Sequence, residues 1–269
     1  MLKALQHGPV TILKTGRDVV SSLVNYYAYC FILGDSLIDT STQHVEKELL
    51  NYLSGQRIKR IINTHHHEDH IGNNLAIERA FGPEVYAYPD AIPLMAAPPP
   101  ARQRFYLRLM WGYPSPCTAK PLADTIEFQG FSLQVIPTPG HAPDHVCLYE
   151  PELKLLFTGD VFCGTRVKYL RADEDFNQQL ASIRRLASLE VNTIYCAVAG
   201  AVEDGQALLK TKLQFMEEMQ GQVLALHGQG LPPGEIRKRL LPKEGLMYWF
   251  SAGHFSKQHL IDSILQIAQ

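Results

Sequence analysis

The sequence predicts an α/β protein, and three observations carry the prediction. Between residues 25 and 88, short runs rich in β-branched and aromatic residues alternate with stretches of helical apolar spacing. From 125 to 157 the chain turns to short strands in succession. Helix and strand then return between 175 and 198, and the last third is helical in pattern. Interleaved strands and helices of this kind bury their apolar faces in layers.

Each element has a local reason. The stretch Val19–Leu33 contains Ser21, Ser22, Asn25 and three tyrosines, so it is too polar and too short for a membrane span and reads as strand. Asn25–Leu33, the Gly34-Asp35 turn and Ser36–Asp39 form strand, turn, strand. Val45, Leu49, Leu50 and Leu53 put an apolar stripe on a helix over Thr42–Leu53, which Gly55 closes. Ile58, Ile61 and Ile62 make a strand of Arg57–Asn63, followed by a helix over Gly72–Phe81 and a strand over Glu84–Tyr88. Further strands are expected at Thr125–Phe128, Phe131–Ile136, His145–Tyr149 and Lys154–Phe157, a helix at Asp175–Leu189, and a strand at Thr193–Val198.

Two segments stand apart from this core. Ile92–Pro116 holds six prolines and an aromatic helix-like run, Phe105–Trp111, and reads as a lid insert over 92–116. Residues 205–269 read as an accessory helical region. It comprises a long helix to about Leu226, a turn at Pro232-Pro233-Gly234, a short helix at Glu235–Leu241 and a last helix from about Ser256. We read residues 1–269 as one domain, without a repeat of fixed period.

Composition narrows the function. Of 269 residues, 46% are hydrophobic and 19% charged, as in ordinary globular proteins. A net charge of -2 gives no basic excess to attract nucleic acid. The five cysteines are odd in number and contain no CxxC pair, and Met1–Arg17 lacks the apolar core of a leader, so a cytoplasmic setting with reduced thiols is expected. The expected partner is a small-molecule substrate, with neither nucleic acid nor membrane involved.

Chemistry concentrates after the Arg57–Asn63 strand. Four of the eleven histidines fall between 65 and 70, in Thr64-His65-His66-His67-Glu68-Asp69-His70. His65, His67 and Asp69 alternate, so an extended loop points them one way and His66 and Glu68 the other, while His70 breaks the parity toward a second ion. Imidazole and carboxylate donors suit zinc, iron or manganese. Downstream, the turn Thr138-Pro139-Gly140-His141-Ala142-Pro143 fixes one imidazole, and Phe157-Thr158-Gly159-Asp160 ends an apolar strand on a carboxylate. Asp144 and His145 are candidates to support the ligands or simply to start a strand. Arg166, Lys168 and Tyr169 follow Asp160 closely and are placed to hold an anionic substrate group, or to form a solvated loop.

These motifs resemble the metallo-β-lactamase fold superfamily over roughly residues 20 to 205. Its leading HxHxDH signature is met by His65, His67, Asp69 and His70, its Gly-His element by Gly140-His141, and its Gly-Asp element by Gly159-Asp160. Asp39 sits where that family has a structural aspartate. The resemblance implies an αββα sandwich with a C-terminal helical extension and one or two zinc ions at an edge between the sheets. It implies that His65, His67 and His141 hold the first ion, that Asp69 and His70 hold the second, and that Asp160 bridges. It also implies a departure: Ala199 stands where the family supplies a last histidine. His254, in Ala252-Gly253-His254-Phe255-Ser256, is the candidate to replace it, or to line or pack the substrate pocket.

Three functions fit this set. The first is hydrolysis of an ester, thioester or lactone by metal-activated hydroxide, with Asp69 also orienting water or taking a proton. The run THHHxDH looks closest to glyoxalase II thioesterases. The second is a mononuclear iron oxygenase of the persulfide dioxygenase type. The third is a binding protein with an impaired metal site. Ala199 is the feature behind the last two.

Overall fold

Alternation along the central strands decides the layering. In the computed structural model, which describes residues 1–18, 25–98 and 105–266, two sheets face one another. The first contains β1 (Leu2–His7), β2 (Val10–Asp18), β3 (Asn25–Leu33), β4 (Ser36–Ile38), β5 (Arg60–Ile62), β6 (Glu84–Ala87) and β7 (Lys120–Pro121), adjacent in chain order. The second contains β8 (Thr125–Phe128), β9 (Phe131–Pro137), β10 (Val146–Glu150) and β11 (Leu155–Gly159). After β12 (Leu170–Arg171), which lies outside both sheets, β13 (Thr193–Cys196) and β14 (Gly200–Val202) complete it in the order β14-β13-β11-β10-β9-β8.

Neighbouring residues on one strand enter different cores. Phe31, Ile62, Val146, Leu148, Phe157 and Tyr195 meet between the sheets. Phe157 and Tyr195 stack at 4.8 Å, and Phe31 meets both edge-on. On the outer face of the first sheet, Cys30, Ile32 and Ile61 pack with α1 (Glu46–Leu53) and with α3 (Asn74–Phe81), which follows the short α2 (Glu68–Ile71). There Leu49, Leu53 and Ile77 supply the helical side. Within the following connection are α4 (Ala91–Ala96) and α5 (Phe105–Met110). On the far side, Cys147, Leu156, Ile194 and Cys196 pack against α6 (Phe176–Leu186) and α7 (Gly205–Gly228). Then come α8 (Pro233–Leu240), α9 (Leu246–Phe250), β15 (Phe255–Ser256) and α10 (Lys257–Ile264), of which α8 and α10 join the same core. The result is the expected αββα arrangement with a helical C-terminal region.

Several expectations are corrected. Residues 2–18, read only for want of a leader, form the β1–β2 hairpin about Gly8, which takes the left-handed backbone the turn requires (φ 55°). The helix expected over Gly72–Phe81 begins at Asn74, after α2. In segment 92–116 the expected helical run appears as α5, α4 is an additional helix at its start, and Tyr106, Leu107, Met110 and Trp111 pack with Phe255. Pro99 and Pro100, in the proposed lid, and Ser21 and Ser22 lie outside the described residues. The last helix starts where expected: Ser256 caps it by accepting from the Gln258 N–H at 2.9 Å. All five cysteines are free thiols, and among the described residues no helix is long and apolar enough to cross a membrane.

Strand direction positions the site. β4 and β5 run parallel, as do β11 and β13, so the segments leaving them start at strand C-terminal ends. The Val146 N–H donates to Thr64 O at 2.9 Å and ties the two sheets together there.

Candidate metal centre

The loop after β5 is held by polar groups that leave it little freedom. Asp39, at the end of β4 in a left-handed backbone (φ 58°), accepts from Thr64 N–H and Thr64 Oγ1, each at 2.8 Å. It also accepts from His70 Nδ1 at 2.7 Å. Asn63 Nδ2 and the Thr40 N–H both donate to His70 O, at 3.0 and 2.8 Å. Asp144 takes the His66 N–H and His66 Nδ1, both at 2.8 Å, and so commits that ring outside the converging donors, although it still lies 4.9 Å from the His67 ring. The alternation expected for His65, His66 and His67 is thus present, with Asp144 as one cause. Glu68 differs from expectation, because its side chain lines the cavity over the site.

Donor atoms converge in two groups: His65, His67 and His141, and His65, His70 and Asp160. His65 Nε2 lies 2.8 Å from His67 Nδ1, which lies 3.0 Å from His141 Nε2. Tetrahedral zinc with bonds of about 2.0–2.1 Å would set such nitrogens about 3.3–3.4 Å apart, only a few tenths wider. Burial and neighbouring imidazoles push His65 and His67 well below their usual pKa, so both rings are neutral with lone pairs to offer. In the second group, His70 Nε2 and Asp160 Oδ1 are buried without a hydrogen bond and face each other at 3.5 Å. Two orphaned donors aimed at one point, beside three clustered imidazoles, fit a divalent cation.

The remaining nitrogens are committed elsewhere. His141 Nδ1 is 2.8 Å from Glu174 Oε1, which turns Nε2 toward the cluster. Burial works against charging this ring, but Glu174 and Asp160 outweigh it and raise its pKa. For His70 burial is outweighed in the same way by Asp39, Asp69 and Asp160. Asp160 resists burial because His70 and His141 hold it ionised. His145 is not a converging donor. Its Nε2 accepts the Asp160 N–H at 3.2 Å and its Nδ1 lies 2.8 Å from Thr138 Oγ1, while burial lowers its pKa to about 3. Gly159 is required beside it: a Cβ there would sit 2.7 Å from His145 Nε2 and 2.8 Å from Thr64 Oγ1.

A family profile described as the metallo-beta-lactamase superfamily matches residues 27–198. The chain belongs to the metallo-β-lactamase superfamily. It is 30% identical over 164 residues to a hydroxyacylglutathione hydrolase of Methylobacillus flagellatus, covering 60% of this chain and 56% of that protein. To the hydroxyacylglutathione hydrolase of Crocosphaera subtropica it is 30% identical over 179 residues, covering 63% of each. The chain thus spans a little over half the length of these curated relatives. Among solved structures it superimposes on a β-lactamase domain protein from Burkholderia ambifaria with a TM-score of 0.73 at 14% identity, covering 98% of this chain and 88% of that one. A metallo-β-lactamase family protein from Thermus thermophilus gives 0.64 at 23%, covering 93% and 92%. These two likenesses speak to the fold.

Within this superfamily fold, the other expected residues are distributed as follows. Asp69 is in neither donor group, although Oδ1 comes within 3.9 Å of His70 Nε2. Lys168 and Tyr169 line a cavity of about 420 Å³ that opens on His67, His141 and Asp160. His254 is in neither group and does not line that cavity. It hydrogen-bonds Tyr106 through Nδ1, and Nε2 is 3.8 Å from Asp173. Ala199 is exposed in the turn between β13 and β14. Sequence reasoning missed Glu174, Arg171 and Lys212. Arg171, paired with Asp173 at 2.9 and 2.6 Å, lines the cavity beside Glu174. Glu174 sits just before the cap of α6, Asp175, and only that placement signals its role.

Proposed function

We propose that this chain is a metal-dependent hydrolase of an ester, thioester or lactone, with thioesters first among them. The observation that carries the reading is the convergence of His65, His67 and His141 beside His70 and Asp160, at the floor of a cavity sized for a small molecule. His65, His67 and His141 would hold one divalent cation, zinc by donor type with iron or manganese as alternatives, and His70, Asp69 and Asp160 a second. When bound, such a cation supplies Lewis acidity and lowers the pKa of water to about 7. The chain's own residues do the rest. Glu174 orients His141, Asp39 orients His70, and the Asp160 carboxylate faces both rings, 3.5 Å from His70 and 3.6 Å from His141. Asp69, beside His70 and lining the cavity, is placed to orient water and accept its proton. Trp111, Phe255 and Met110 form an apolar part of the cavity wall. Met110 and Trp111 come from α5 and the residue after it, within the segment read above as a lid insert. The hydroxyacylglutathione hydrolase relatives support thioesters as the first assay.

The test is metal content of the purified chain, with thioester and lactone hydrolysis measured before and after chelation. Full activity after complete metal removal refutes the proposal. A mononuclear iron oxygenase is the second reading, favoured by exposed Ala199 and by the absence of His254 from both donor groups. Iron at one atom per chain with persulfide-dependent oxygen uptake would select it.

A further inference from the structure

Along α7 the buried stripe runs Leu209, Lys212, Met216, Met219, Val223 and Leu226, so a lysine occupies a position that helical periodicity assigns to an apolar side chain. Lys212 is 4% exposed, and among the described residues it is the only buried lysine or arginine. Its ammonium donates to Gly164 O at 3.1 Å and lies 5.6 Å from the Phe162 ring centroid. No carboxylate forms an ion pair with it among the described residues, whereas Arg171 has Asp173 and Glu174 is engaged with His141. An ammonium has three donors, and burying one without a counter-charge is expensive. Burial does lower the pKa of Lys212, although the charges about it work the other way.

The position of this side chain bears on the expense. Lys212 lines the same cavity as His141 and Asp160, and the loop it binds is the one that leaves Asp160, four residues on at Gly164. Cys163 stands between, its Sγ donating to Asp160 O at 3.1 Å. Taking this cavity as the substrate site, and so resting on the reading above, we infer that Lys212 is the anchor for a carboxylate of the substrate, which enters as the missing counter-ion. A single carboxylate matches the one buried ammonium that lacks a counter-ion, because elsewhere in the cavity lining Glu68, Asp69 and Glu174 stand against Arg166, Lys168 and Arg171. The substrate class is then an acyl compound with a carboxylate at one end and its reacting carbonyl over the histidine cluster.

The experiment measures binding of succinate, of neutral succinamide and of inorganic phosphate to the full metal-loaded chain by calorimetry, for wild type and Lys212→Met. The expected result is a loss of at least tenfold in succinate affinity with succinamide affinity unmoved. A succinate-to-succinamide ratio equal to wild type overturns the inference, since a purely structural Lys212 would alter stability but not that ratio. A larger loss for phosphate than for succinate overturns the carboxylate assignment. If Lys212→Met does not fold, reductive methylation of wild type decides. Succinate, and not succinamide, should slow labelling of Lys212 at least fivefold relative to exposed Lys210, and equal labelling overturns it. Failure of the hydrolase reading is separately visible, as absence of bound metal or of turnover in wild type with carboxylate binding intact.

Discussion

His145 offers a test of the site that does not depend on turnover. In the folded chain burial lowers its pKa from 6.5 to about 3, and its Nε2 is occupied as acceptor of the Asp160 N–H. Protonating that nitrogen would desolvate an imidazolium and break the bond that fixes Asp160. In the unfolded chain the same ring protonates near 6.5. As pH falls below 6.5 the unfolded state therefore takes a proton that the folded state refuses, and stability drops until pH approaches 3. The contribution is fully present above 6.5. At pH 5 the ring lies about 1.5 pK units inside this window, and at about 1.4 kcal/mol per unit the loss is about 2 kcal/mol. His145→Gln keeps an acceptor for the Asp160 N–H but does not titrate. Urea unfolding of metal-free wild type and variant, followed by tryptophan fluorescence at pH 7.5 and 5, should show the stability difference between the two proteins shifting by about 2 kcal/mol against wild type. A difference constant with pH to within about 0.5 kcal/mol, well under that linkage, would refute the buried neutral state of His145.

Other perturbations follow from the same contacts. Glu174→Gln weakens the partner that orients His141 and should lower metal affinity by about 10- to 100-fold, as outer partners of metal-bound histidines commonly do, measured by competition with a chromophoric chelator. Gly159→Ala places a methyl 2.7 Å from His145 Nε2 in a left-handed backbone (φ 46°) and should cost about 2 kcal/mol or more, read from the urea midpoint. Metal uptake should weaken as pH falls toward 6.5, because the carboxylates that raise His70 and His141 let protons compete, and the protons released are counted by calorimetry in buffers of different ionisation enthalpy.

What was legible in the sequence was whatever a short window could hold. Ile61 and Ile62, or Phe157 with its neighbours, reveal strands by composition, and His65, His67 and His70 reveal a site because six residues contain them. The β1–β2 hairpin escaped because its outer strand is an edge: only part of Leu2–His7 is covered, so its apolar alternation is weak. Glu174 and Lys212 escaped for a different reason. Each is a single charged residue, Glu174 just before the cap of α6 and Lys212 within α7, and its meaning arises only when α6 and α7 pack beside the loop that carries Asp160. Lys212 did leave one trace, a cation in register with a buried stripe, which periodicity alone reads as an irregularity of packing.

His65 belongs to both converging groups, yet one imidazole nitrogen offers its lone pair to one ion. Its Nδ1 is 3.1 Å from Thr64 Oγ1, which leaves Nε2, and that atom lies 2.8 Å from His67 Nδ1. We therefore give His65 to the first group. The second then rests on His70 and Asp160, with Asp69 3.9 Å from His70, and Asp160 is shared because its other oxygen is 3.6 Å from His141. Ala199 adds no donor. Three neutral or orientable imidazoles against one imidazole and two carboxylates, one of them shared, make the sites unequal. The chain should take up one zinc ion at least tenfold more tightly than a second, and His65→Ala should abolish the tight step. Two ions of equal affinity, or a tight step that survives His65→Ala, would show that His65 is not committed to the first group.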